Sequence, residues 1–192
     1  NALATIALSI AVGISITTIK KGISNFSGVK RRMQLISKEN NIMIFDDYAH
    51  HPTEIKTTLN GLKKALNKSI TCIFQPHRYS RTKELLASFF SAFNEADKVI
   101  ITPIYTANEC NSEENKKLIL KLITGIRKES KNASKVIFLE SNKKILSHIQ
   151  TTIQKEDIII TMGAGNIHSI SKDLKKITFD GGVQNKKALQ LS

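Results

Sequence analysis

Ile42-Met43-Ile44-Phe45-Asp46-Asp47-Tyr48-Ala49-His50-His51-Pro52-Thr53-Glu54-Ile55 decides the fold. Its first four residues are an unbroken apolar run, which predicts a strand. Pro52 suits the first position of a helix, and Glu54 in the first turn favours the helix dipole. Ile55, Leu59, Leu62 and Leu66 then recur at helical spacing. A strand therefore runs into a helix, with carboxylates, a tyrosine and two histidines at the junction. In an open α/β sheet that edge is where ligands bind.

The same pattern repeats downstream. Strand Ile70–Phe74 leads into Gln75-Pro76-His77-Arg78-Tyr79-Ser80-Arg81-Thr82, then a helix striped by Leu85, Leu86, Phe89, Phe90 and Phe93. Strand Val99–Thr102 precedes a helix carrying Leu118, Leu122, Ile123 and Ile126. Strand Val136–Leu139 precedes a helix carrying Ile145, Leu146, Ile149 and Ile153. Strand Ile158–Met162 runs through Gly163-Ala164-Gly165 into a short helix ending near Leu174, and the tail from Phe179 reads as loose. Upstream, residues 2–12 and 15–25 read as helices, Gly28-Val29-Lys30-Arg31-Arg32 as a hinge, Met33–Ser37 as a short strand and Glu39-Asn40-Asn41 as a turn. Strands alternating with helices predict βαβ units: an α/β, Rossmann-like, mainly parallel open sheet with helices on both faces.

A hydrophobic content of 41% supports a packed core in 192 residues. The net charge is +13, from 29 Lys and Arg against 16 Asp and Glu. Nucleic acid is one partner such a charge admits. However, the lysines are dispersed over helix faces, as in Lys63-Lys64, Lys116-Lys117, Lys143-Lys144 and Lys175-Lys176, and aromatics are only 6%. Solvated lysine faces are the simpler reading, and attraction of small polyanions is compatible with them. Cys72 and Cys110 show no paired spacing, so a reducing, cytoplasmic setting is expected. Ala2 to Ile19 lacks charge but is interrupted by Gly13 and dotted with Ser and Thr, so two short buried helices are expected rather than a membrane span. The chain opens at Asn1 in a helical pattern, which suggests an upstream part.

Asp46 and Asp47 could simply cap the turn that follows them. With Tyr48, His50 and His51 next to them, a ligand site is the stronger reading. Adjacent histidines lack the spacing of common zinc pairs, and no metal site is expected. His77, Arg78 and Arg81 form an anion-recognition pattern, because each guanidinium is a planar fork for carboxylate or phosphate. Gly163-Ala164-Gly165-Asn166 reads as a tight strand-to-helix turn rather than a dinucleotide fingerprint. Tyr105, Asn108 and Glu109 also sit at a sheet mouth, with no role assigned. No G-x-x-x-x-G-K-[ST] loop is present.

Taken in order, five stretches resemble the C-terminal part of the Mur ligases, in particular the branch that adds L-alanine. These are Asn1-Ala2-Leu3-Ala4, Phe26 to Arg32, Asp46 to Glu54, Gln75 to Thr82, and Met162 to Asn166. The resemblance implies that residues 1–30 are the last helices of a central ATP-binding domain plus a hinge, that 31–178 are the C-terminal domain and that 179–192 are a tail. It implies ATP contacts at Asn1, Arg32 and Asp47, and an L-alanine pocket lined by Tyr48, His50, His77, Arg78 and Arg81. Arg78 and Arg81 would take the carboxylate, and the histidines would orient the amine. Catalytic residues and Mg2+ ligands are expected in upstream domains, with none in this fragment. The complete enzyme would join L-alanine to the lactyl carboxylate of UDP-N-acetylmuramate in the cytoplasm, using ATP and an acyl phosphate. The family's loop I-Y-P-A-G-E appears here as Ile104-Tyr105-Thr106-Ala107-Asn108-Glu109, so no role is carried onto it. The alternatives are a related ligase that joins a recycled tripeptide to the same sugar nucleotide, a basic nucleic-acid-binding module, and a non-catalytic remnant.

Overall fold

In the computed structural model, residues 1–110, 113–129, 135–154 and 157–177 are described, the side chains of 113–116 excepted. The chain divides into two units, Asn1–Lys30 and Arg31–Ser192. The loose tail expected from Phe179 lies outside the described residues.

The first unit holds α1 (Ala2–Ala11) and α2 (Ile16–Ser24). Gly13 at φ 81 breaks the apolar run, and the Ser15 side chain caps α2 by accepting the Thr18 N–H. Among the described residues no helix is long and apolar enough to cross a membrane. Within this chain the expected burial of these helices is not found. Leu3, Leu8, Val12 and Ile16 are all well exposed, and Ile19 alone in this unit is buried. Two helices this short cannot cover apolar residues distributed around both of them.

The second unit is a six-stranded sheet: β1 (Gln34–Glu39), β2 (Ile42–Asp47), β3 (Ile70–Phe74), β4 (Lys98–Ile101), β5 (Val136–Phe138) and β6 (Ile158–Met162). The spatial order is β1-β2-β6-β3-β4-β5, and every pair is parallel except the β1–β2 hairpin. Asn40 and Asn41 at φ 50 and 65 make that hairpin, since a two-residue turn of this hand needs positive φ at both positions. Met33 at φ 45 cannot join a strand, so β1 begins one residue later than its sequence suggests.

Both faces of the sheet are covered. On one face Ile55, Leu59 and Leu62 of α3 (Pro52–Leu66) pack with Phe89, Phe93, Leu122 and Ile126 against Met43, Phe74, Val99 and Ile160. On the other, Ile145 and Ile149 join Ile170 and Leu174 against Ile42, Ile44, Ile73 and Ile159. Adjacent residues of a strand thus serve opposite cores, which is why the central strands read as continuous apolar runs. Each such fully buried Ile, Leu or Phe contributes about 1.5–3 kcal/mol. The expected single helix after Thr82 is two: α4 (Tyr79–Glu84) and α5 (Leu86–Phe90), broken at Leu85. The break lets α4 follow the sheet mouth while α5 seats Phe89 on Phe74, ring centroids 5.5 Å apart. Helices α6 (Glu113–Glu129), α7 (Asn142–Thr152) and α8 (His168–Leu174) follow.

Candidate functional site

The carboxyl ends of β2, β3 and β6 and the segment after β4 meet at one edge. Asp46 and Asp47 end β2 side by side, both buried, but alternate strand residues face opposite ways and meet different partners. Asp46 accepts from the Arg31 Nε at 3.2 Å and from the Thr161 hydroxyl at 2.7 Å. Arg31 also donates to the Gly163 carbonyl, and it lies 4.8 Å over the Tyr48 ring. One guanidinium therefore ties the ends of β2 and β6 together. Asp47 accepts the Met33 N–H at 2.8 Å and the Ala49 N–H at 2.7 Å. The turn-capping reading of Asp47 is realised, and Asp47 also lines an open groove of about 470 Å³ with Arg32, Thr53, Glu54 and Thr57.

Beyond β2 the chain enters α3 through a capping box. His51 Nδ1 accepts the Thr53 N–H at 3.3 Å, and Glu54 accepts the backbone N–H groups of His50 and His51. Burial pushes the Glu54 carboxyl up, but those two N–H groups, with His50 and Arg32 nearby, bring it below its ordinary value. Arg32 is exposed, 4.0 Å from Glu54.

Four rings form a chain across the mouth. Tyr48 meets His50 edge-on at 5.5 Å, His50 lies 6.0 Å from His77, and His77 stacks on Tyr105 at 5.4 Å. Arg81 Nη1 is 3.4 Å from His77 Nδ1. Burial, then Arg81, His50 and Arg78, hold the His77 imidazole below its usual range, against a small opposing effect of Glu109. Arg78 is exposed, with φ 66, directly before α4. Thus Tyr48, His50, His77 and Arg81 are gathered, with Arg78 beside them. Asn1 belongs to the first unit, where its carbonyl accepts the Thr5 N–H.

The glycines after β6 serve close packing. A Cβ on Gly163, at φ 147, would come within 2.7 Å of the Gln75 carbonyl, and one on Gly165 within 2.6 Å of the Tyr105 ring. Sequence reasoning missed Arg31 and Gln75. Gln75 donates to the Asn166 side chain and accepts the Ile167 N–H. Neither has a spacing signal, since their partners lie far away in the chain.

The carboxylates at this edge are all engaged internally: Asp46 by Arg31 and Thr161, Asp47 and Glu54 by backbone N–H groups, and Glu109 by Ser80 and Tyr79. Among the described residues no group of His, Cys, Asp and Glu is arranged to hold a metal ion. The arginines thus set the character of the mouth, which suits an anionic ligand.

Fold and site together define a doubly wound α/β domain with an arginine-bearing mouth at its strand ends. The family model described as "Mur ligase, glutamate ligase domain" matches residues 31–165, and the chain belongs to the Mur ligase family. It is 43% identical over 172 residues to a UDP-N-acetylmuramate–L-alanine ligase of Acetivibrio thermocellus, covering 90% of this chain and 36% of that one. The crystal structure of the UDP-N-acetylmuramate–alanine ligase of Thermotoga maritima superposes with a TM-score of 0.72 at 27% identity, covering 91% of this chain and 36% of that one. A murein peptide ligase from Psychrobacter arcticus gives 0.65 at 29% identity, covering 92% and 36%. The chain therefore spans little more than a third of the length of these relatives.

Proposed function

We propose that this chain is the C-terminal portion of a cytoplasmic ATP-dependent ligase that joins L-alanine to the lactyl carboxylate of UDP-N-acetylmuramate. Residues 1–30 are the end of a central ATP-binding domain and a hinge, and residues 31–178 are the domain that brings in the amino acid. The observation that carries this is the paired arginines Arg78 and Arg81 beside Tyr48, His50 and His77, in a mouth whose own carboxylates are already engaged. Such a mouth favours an external carboxylate. The names of the relatives support the choice of amino acid and sugar nucleotide.

In the complete enzyme the lactyl carboxylate attacks the terminal phosphorus of ATP, giving an acyl phosphate and ADP. The neutral alanine amine then attacks the acyl carbon, a proton leaves the nitrogen, and phosphate departs to give the amide. This domain holds alanine and, by contacting ATP through Arg32 and Asp47, excludes water from the acyl phosphate. Mg2+ is assigned to the upstream part on the family resemblance.

A second reading, attachment of a tripeptide instead of alanine, is favoured by the likeness to the murein peptide ligase. A ligation assay of the complete enzyme with alanine and tripeptide in competition separates the two. Alanine product should dominate, and predominant tripeptide product would replace the first reading with the second.

A further inference from the structure

The segment 104–109 has no part in the reading above, yet it is tied to the His77–Arg81 loop at several points. Tyr105 N–H donates to the Pro76 carbonyl and Arg78 N–H to the Tyr105 carbonyl, both at 2.8 Å, and His77 and Tyr105 form an isolated parallel bridge. Ala107 and Asn108 then take φ 49 and 71, which reverses the chain. Asn tolerates the left-handed region better than most residues, so the turn survives without glycine at 108. The reversal carries Glu109 back onto the start of α4. One carboxylate oxygen accepts the Ser80 N–H at 3.2 Å and also the Tyr79 N–H, and the other accepts the Ser80 hydroxyl. Immediately before these residues stands Arg78 at φ 66, a backbone state that persists in a long side chain only where the surroundings hold it.

We propose that Glu109 is a positioning residue: its carboxylate grips Tyr79 and Ser80, keeps Arg78 in its positive-φ conformation, and so presents Arg78 and Arg81 together to an incoming amino-acid carboxylate. The identity of that ligand rests on the proposed function, whereas the grip itself does not. Arg78 lies close enough to feel the Glu109 charge. The carboxylate nevertheless acts on the loop through hydrogen bonds rather than by occupying the arginines.

Two measurements test this. In the 192-residue chain, Glu109→Ala should speed amide hydrogen exchange at Tyr79 and Ser80 about tenfold or more while amides of β3 and β6 stay unchanged, and Glu109→Gln, which keeps one acceptor, should fall between. In the complete ligase, Glu109→Ala should raise the alanine KM about tenfold with a smaller change in kcat and none in the ATP KM, the size of one charge-assisted hydrogen bond lost. Unchanged exchange at Tyr79 and Ser80 would overturn the grip. Faster exchange with an unchanged alanine KM, in an enzyme whose Arg81→Ala variant does raise it, would reduce Glu109 to a local cap. If Arg81→Ala also leaves the alanine KM alone, the alanine reading fails, and the exchange result still decides the grip.

Discussion

Arg81, in the helix α4 that Arg78 precedes, stands beside the His77 ring, and on the proposed reading its loss should be felt by the amino acid rather than by ATP. A charge-assisted hydrogen bond contributes about 1.5–3 kcal/mol. Arg81→Ala in the complete ligase should therefore raise the alanine KM roughly ten- to a hundred-fold, and Arg81→Lys should restore only part, because the planar fork is lost. A change confined to the ATP KM would make this loop a phosphate site. Asp47 carries two tasks that one substitution can separate. Asp47→Ala strands the Met33 and Ala49 N–H groups, which should cost about 1–3 kcal/mol in denaturant melts. On the proposed reading it should also weaken ATP use strongly, with UDP-sugar binding little altered. Loss of stability with ATP kinetics intact would leave Asp47 a structural residue only. His77 gives a pH signature. Its folded pKa lies below the unfolded value of about 6.5, so the unfolded chain binds more protons in that window and stability rises with pH there. The contribution is complete above about pH 6.5 and is lost as pH falls through the folded value. Urea melts at several pH values between 5 and 8 should show a shallower slope for His77→Gln than for the parent. Equal slopes would mean that burial and Arg81 do not act on His77 as described.

Among the elements, α5 and α6 meet where Gly125 lies under the Phe90 ring. A Cβ at that position would come within 2.0 Å of Phe90. Helix propensity favours Ala over Gly by about 1 kcal/mol, yet Gly125→Ala should lower Tm because the ring must leave its place. A raised Tm would show that Phe90 relocates at little cost. This glycine illustrates what the elements reveal in advance. The apolar stripe Leu118, Leu122, Ile123 and Ile126 announces α6 by its period, and the runs Ile70–Phe74 and Ile158–Met162 announce β3 and β6. Nothing in the period says that Gly125 must be small, because its neighbour Phe90 comes from another helix. The break at Leu85 was hidden for the same reason. Leu85, Leu86, Phe89 and Phe93 fit one stripe, and the need to send α4 along the mouth and α5 onto Phe74 arises only in three dimensions.

At the scale of the whole molecule, the chain contains no phosphate-cradling G-x-x-x-x-G-K-[ST] loop, and its described residues offer no metal-ligand group. On the division of labour proposed above, the purified 192-residue chain should form no amide from ATP, UDP-N-acetylmuramate and alanine, and it should not hydrolyse ATP. Steady product formation would refute the division of labour proposed for it. The sequence by itself determined the βαβ alternation, the covered sheet and the two clusters at its mouth. These depend on local period, on turn chemistry such as Asn40-Asn41, and on Pro52 and Glu54 opening α3, all of which act between residues close in the chain. Only the tertiary structure decided that Asp46 belongs to Arg31 and Thr161, that Gly163 and Gly165 serve packing against Gln75 and Tyr105, that Glu109 reaches Tyr79 and Ser80, and that, within this chain, Leu3, Leu8, Val12 and Ile16 stand exposed. Each of the first three joins residues that the strand order β2-β6-β3-β4 brings together from distant parts of the chain. A hydrogen-bond partner or a void that small is fixed by that order and not by any spacing along the sequence.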